Sequence, residues 1–314
     1  MPPLRKSIII LLALLAAGAV RAPLELAMAR DMRTAGLLPE PLRLDAREKI
    51  GQTGFAVALG GLRTLVATFY NLRAYTAFTE DRWLDAEQSF ETTVALAPST
   101  TYYWVNGAWH LAYNAGHHFQ NDNRLPPLRR QELWRGTVNK GRSFLERGVR
   151  NNPDSWSLNA ELGLLLSDAN KMAAFTGPGG TPPADLYLAA ADAYEAASRN
   201  GGPAYTKRNR FYILARVPGR EAEALALGEE LAESRAHRTP TVLSLLFVLR
   251  MHANPAQDGY ALCRTLFNDD QHAYRSLSYL WEDRRQNFPV TGLARVLAIL
   301  EERLAIPPEK SILR

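Results

Sequence analysis

Cysteine is all but missing from this chain: Cys263 is the single one among 314 residues. An intramolecular disulfide and a cysteine-rich zinc site are therefore excluded. The apolar neighbours Leu262, Leu266 and Phe267 predict a buried, inert thiol. Strand patterning is absent too. Apolar residues recur at three and four positions rather than at two, so the chain reads as all-α. There is no His-Glu-x-x-His motif. The glycines Gly177, Gly179 and Gly180 are followed by no Lys-Ser or Lys-Thr and preceded by no strand, so they do not make a phosphate loop. No block of one charge stands out, since 37 basic and 32 acidic residues are interspersed for a net charge of +5, which argues against a nucleic-acid partner. The pairs Glu229-Glu230, Asp269-Asp270 and Glu301-Glu302 are adjacent in sequence, so each splits between two sides of a helix and reads as solvated surface. No catalytic residue, metal-ligand set or cofactor motif emerges, and the chain reads as a non-enzyme without a cofactor.

What is present begins with an apolar segment. Arg5 and Lys6 precede an uncharged run over residues 7–20, rich in Ile, Leu and Ala, in the pattern of an export signal. The run is short of the roughly 20 residues that a bilayer crossing needs. Ala17 and Ala19 suit signal peptidase, which favours cleavage; apolar character resumes at Leu24, Leu26, Ala27 and Met28, which favours an uncleaved signal-anchor. Both readings stand, and both put the body of the protein outside the cytoplasm. It is then either tethered to the inner membrane and facing the periplasm, or free in the periplasm. With no cysteine nearby, a lipid-anchored form is excluded. The chain, whose 46% apolar residues suffice for a large core, thus divides into an export or anchor segment (1–22), a linker (23–53) and a helical body (54–314).

Within the body, a 34-residue register starting at Ala67 places Ala86, Phe90 and Pro98 at its positions 20, 24 and 32. A small residue lets two helices approach, an aromatic fills the gap to the next pair, and Pro ends the helix. Helices are predicted over about 54–79 and 83–97. A second register opens at Thr101, with Trp104, Gly107 and Ala108 early in it. An inserted loop is expected over 117–128, then a helix over about 130–151 carrying Gly141, Leu145 and Gly148 where Ala, an aromatic and Ala belong. A third opens at Trp156, holds Leu162-Gly163, is interrupted by a Gly/Pro-rich loop over 176–183, and resumes with Ala190, Tyr194 and Ala197. Further hairpins are expected over about 205–236, where Gly228 stands in place of the aromatic, and 239–268. Helices over about 271–286 and 291–304 close the stack.

These landmarks resemble the tetratricopeptide repeat family over about residues 55–270. The layout of export signal followed by repeats looks like that of bacterial envelope proteins. The resemblance implies a right-handed superhelical solenoid whose concave groove binds a peptide or protein, and hence a scaffold or adaptor in an envelope assembly. In that family the groove is lined by the first helix of each hairpin at its second, fifth, ninth and twelfth positions. Carried onto this chain, those are Thr68, Asn71, Tyr75 and Phe78, then Tyr102, Val105, Trp109 and Ala112, with Asn106 and Tyr113 beside them. The groove set is accordingly Asn71, Tyr75, Tyr102, Asn106, Trp109 and Tyr113; the competing reading is that these side chains pack between hairpins. A rival function uses His110, Asn114, His117 and His118, closely spaced on a helix, as a metal-binding or enzymatic site. The basic patch Lys207, Arg208 and Arg210 reads either as a contact for an acidic partner or as solvated surface.

Overall fold

The computed structural model describes residues 62–176, 180–284 and 290–314, together with isolated helical positions between 13 and 34. The expected export or anchor segment, the linker, the start of the first helix and the centre of the Gly/Pro-rich loop lie outside the described residues. Among the described residues the protein is all-α, with no strand. Among the described residues, no helix is long and apolar enough to cross a membrane.

The chain forms two compact units, and the division falls within helices α6 (Trp156–Ser167) and α7 (Ala169–Phe175). In the first unit, α1 (Arg63–Thr79) and α2 (Trp83–Leu96) pack along their lengths. Only residues 80–82 join them, so the pair must run antiparallel. Asp81 makes the reversal at φ 56°, a left-handed conformation that Asp tolerates better than most residues. The side of α1 that meets α2 is small, with Ala67, Ala74 and Ala77 all at 0% exposure. Ala86 and Phe90 of the landmark trio are buried on α2. Pro98 follows the helix, and its carbonyl accepts both the Trp104 indole N–H and the Asn152 side-chain amide, each at 2.8 Å. That one oxygen fastens the start of the next hairpin and the end of its second helix to the same point.

The next helical run corrects the expected insertion over 117–128. Helix α3 (Thr101–Trp109) does not stop there. It passes through a π-helical turn (His110–Ala115) into α4 (Gly116–Asn121), a continuous helix over 101–121. The wide turn seats His110, Leu111, Ala112 and Ala115 in the interior, and that burial holds the run helical. Residues 122–126 alone form the connection. Helix α5 (Pro127–Asn151) then starts earlier than expected, because Pro127 sits in the first turn, where its missing N–H is no loss. The interior of this unit is built on Trp104, Phe90 and Phe144, each at 1% exposure. Each contributes about 1.5–3 kcal/mol by leaving water. The helix predicted from Trp156 ends at Ser167, where Asp168 caps α7 by accepting the Asn170 N–H at 2.8 Å.

The second unit contains α8 (Pro183–Arg199), α9 (Ala204–Leu214), α10 (Glu221–Glu233), α11 (Pro240–Ala253), α12 (Gly259–Leu266), α13 (Asp270–Arg284) and α14 (Leu293–Arg303). Its principal contacts join helices that are neighbours or next neighbours in sequence. Gly201, at φ 79°, ends α8, and the Gly202 N–H returns to the Ala197 carbonyl at 2.9 Å, the expected stop at Gly201-Gly202-Pro203. Ala190, Tyr194 and Ala197 are all buried on α8. Helix α11 is buried continuously from Val242 to Leu249 and forms the spine of the unit. Cys263 is buried as expected, and burial with the nearby Asp270 carboxylate pushes its thiol up to about 12. The chain end is pinned by Glu301, which accepts from the Tyr274 hydroxyl at 3.0 Å and the Ile312 N–H at 2.9 Å.

Candidate partner-binding surface

Helix α1 carries two apolar sides of opposite character. The small side faces α2. The large side chains Leu65, Phe69, Leu72 and Tyr75 are 59–68% exposed. Leu62, Leu65, Phe69 and Leu72 recur at the three- and four-residue steps of a helical stripe. Tyr75 and Asn71 stand one turn apart beside this stripe. The Asn71 carbonyl oxygen is buried without a hydrogen-bond partner among the described residues.

The helical run over 101–121 presents the other predicted residues. Tyr102, Asn106, Trp109 and Tyr113 follow at helical steps on one side. Tyr102 is 59% exposed, and Trp109 is 45% exposed with its ring stacked on Tyr113 at 4.4 Å and 21°. Stacking holds the indole in one orientation in front of solvent. The two helices are tied by the Thr68 and Tyr103 hydroxyls, 3.3 Å apart, and by Phe78, whose ring lies 4.4 Å from that of His110. Of the predicted set, Tyr75, Tyr102 and Trp109 are open to solvent, whereas Asn71, Asn106 and Tyr113 are half-buried. Leu65, Phe69 and Leu72 were not singled out by sequence reasoning. The available signal was that α1 has more large apolar residues than one helix side can bury, while its other side is alanine.

The three histidines diverge. His110 is buried, with the Phe78 ring at 4.4 Å and the Phe90 ring stacked at 5.3 Å. Its Nδ1 takes the Asn114 amide at 3.0 Å, and burial lowers its pKa. His117 is exposed and bonds Asn121 on its own helix. His118 packs on Trp83 at 5.4 Å and lies 3.4 Å from an Asp81 carboxylate oxygen. Among the described residues, no three His, Cys, Asp or Glu side chains gather as a metal would need. The imidazoles shape the interior and the edge of the first hairpin instead.

The basic patch resolves into internal contacts of the second unit. Lys207 pairs with Glu230, Arg208 donates to the Ala236 carbonyl at 3.2 Å, and Arg210 lies between Glu195 at 3.2 Å and Glu223 at 3.1 Å. Lys207 and Arg210 are thus paired with acids of the same unit, while Arg208 bonds a neutral carbonyl. No protein-family model, curated protein or solved structure matches this chain.

Proposed function

We propose that this protein is a non-enzymatic scaffold or adaptor that binds a protein or peptide partner on the aromatic face of its first unit. Its helices form hairpins of tetratricopeptide type, stacked in sequence order within each unit. The register of Ala86, Phe90 and Pro98, the burial of the first two, and the near-neighbour packing of successive helices support that reading. The apolar segment over 7–20 supplies an export signal or inner-membrane anchor, so the partner is met at the cell envelope.

One observation carries the proposal. Tyr75, Tyr102 and Trp109 are large aromatic side chains held out to solvent on rigid helices, next to the exposed stripe of Leu65, Phe69 and Leu72. Exposed apolar area of this kind on helices that are otherwise well packed marks an interaction surface. Aromatic side chains with a polar tip supply most of the energy in such contacts. The test is crosslinking in native membranes, comparing the wild type with a Tyr75→Ala/Trp109→Ala variant. A crosslinked species should be lost in the variant while its far-UV circular dichroism stays unchanged, because both side chains are exposed. Equal recovery of that species from both proteins would count against the proposal.

A further inference from the structure

The second unit contains a cleft of about 560 Å³ lined by the alternate helices α9, α11 and α13. All its lining residues belong to the second unit, and nothing in the proposed function uses it. Its polar lining is one-sided. Arg216 comes from the turn after α9, Thr241 and Ser244 from α11, and His272, Arg275 and Ser276 from α13, while no Asp or Glu is among the lining residues. Of the two acids nearest in sequence, Asp269 accepts the His272 backbone N–H at 2.7 Å as the cap of α13, and Asp270 accepts from the Tyr260 hydroxyl at 3.0 Å and from Arg303 at 2.8 Å. Neither Arg216 nor Arg275 forms an ion pair among the described residues.

Two donors in this cleft are orphaned. Ser244 is 2% exposed in the middle of the apolar helix α11, and its hydroxyl meets no partner among the described residues. The Arg216 Nε is likewise buried and unbonded. Each orphan carries a desolvation penalty that a single apolar substitution would remove. A guanidinium has donors and no acceptor, so the missing partner must be an acceptor and, beside two guanidiniums, an anionic one. The rest of the lining combines the apolar Pro240, Leu245 and Leu280 with Tyr212 and Tyr279 and the hydroxyl residues Thr241 and Ser276. The Tyr212 hydroxyl is engaged with the Thr239 hydroxyl at 3.1 Å. The volume is that of a site for a small organic molecule.

From this arrangement we infer that the second unit binds an amphiphilic oxyanion, a small ligand with an anionic head between Arg216, Ser244 and Arg275 and an apolar body against Leu245 and Leu280. The head is a carboxylate or a phosphate monoester, since both accept paired guanidinium donors.

Isothermal titration of the full chain with decanoate, decyl phosphate, decanol and acetate tests this. At least one of the two decyl anions should bind at least about tenfold more tightly than decanol, which lacks the charge, and than acetate, which lacks the chain. Comparing decanoate with decyl phosphate identifies the head group. An Arg216→Gln/Arg275→Gln variant should lose about tenfold or more in affinity. Ser244→Ala gives a readout that a packing role would not. It should raise the melting temperature of the free protein, by removing the orphaned hydroxyl, and shrink the shift produced by the ligand. Decanol binding as tightly as both anions, binding of neither anion, or affinity unchanged in the double arginine variant would overturn the inference.

Discussion

At single positions, the substitutions of the repeat pattern are explained by what stands opposite. Gly141 occupies a place where Ala is expected, and a methyl group there would lie 2.6 Å from the Ala112 Cβ and 2.8 Å from the Ala112 backbone nitrogen. Backbone cannot yield as a side chain can. We therefore expect Gly141→Ala to destabilise the first unit by about 1–3 kcal/mol, despite the gain of about 1 kcal/mol in helix propensity. Urea denaturation followed by circular dichroism checks this. At Gly228 the missing aromatic is replaced from another helix, since the Phe211 ring lies 2.8 Å from where a Cβ would stand. The space is filled, but from α9 rather than from α10. No single-position pattern can show such an exchange, which is why the sequence registered only a gap. His110 supplies a pH dependence. Burial lowers its pKa below the ordinary 6.5, so the unfolded chain takes up the proton first as the pH falls. Its contribution to instability is absent well above pH 6.5 and grows below it. The urea midpoint should drop between pH 7.5 and pH 5, and His110→Gln should flatten that drop; an identical drop in both proteins would exclude the imidazole as its source.

At the level of helices, α2 and α5 are joined by the Lys140–Glu87 pair at 2.6 Å and by one side chain with two functions. Arg147 donates to both oxygens of Glu91, at 2.8 and 2.7 Å, and its guanidinium lies 5.5 Å from the Trp104 ring and 5.6 Å from the Phe144 ring. The ion pair is partly exposed and on its own is worth less than about 1 kcal/mol. Cover over the two aromatics adds to it. Arg147→Ala should therefore destabilise by about 1–2 kcal/mol, more than Glu91→Gln does. Arg147→Lys should recover little, because an ammonium neither forks to a carboxylate nor stacks. Thermal melts of the three variants separate these contributions. Helix order and type were legible from the sequence because the caps and breakers are local: Asp258, Thr239, Pro203 and Gly201 act within a few residues of themselves. The continuation of α3 through residues 110–121 was not. His117 and His118 next to Pro126-Pro127 look like a loop, and only the burial of Leu111, Ala112 and Ala115 by α5 keeps that stretch helical. The exposed side of α1 was hidden for the converse reason, since apolar spacing identifies a stripe but does not say whether anything covers it.

For the whole molecule, the aromatic face of the first unit and the cleft of the second call on different chemistry. The first was reached in part from residue types, because Tyr75, Tyr102 and Trp109 are conspicuous in a helix. The cleft was invisible to a linear reading, since Arg216, Ser244 and Arg275 are each ordinary until the turn after α9 and helices α11 and α13 bring them together. The division into units also has an energetic corollary. Gly141 and Gly228 have their close neighbours in different units and share none. The stability losses of Gly141→Ala and Gly228→Ala should add within about 0.5 kcal/mol in the double variant. A clear departure in urea titrations would reveal coupling between them.

The π-helical turn at His110–Ala115 takes up one residue more than a regular turn does. Removing a residue there would leave a regular helix while the segment beyond it keeps nearly its place around the axis. Removing one from the regular run of α5 would instead rotate everything after it by about 100° about the axis. Among the described residues, the wide turn is a place where a change of one in chain length is absorbed without turning the next segment out of its seat.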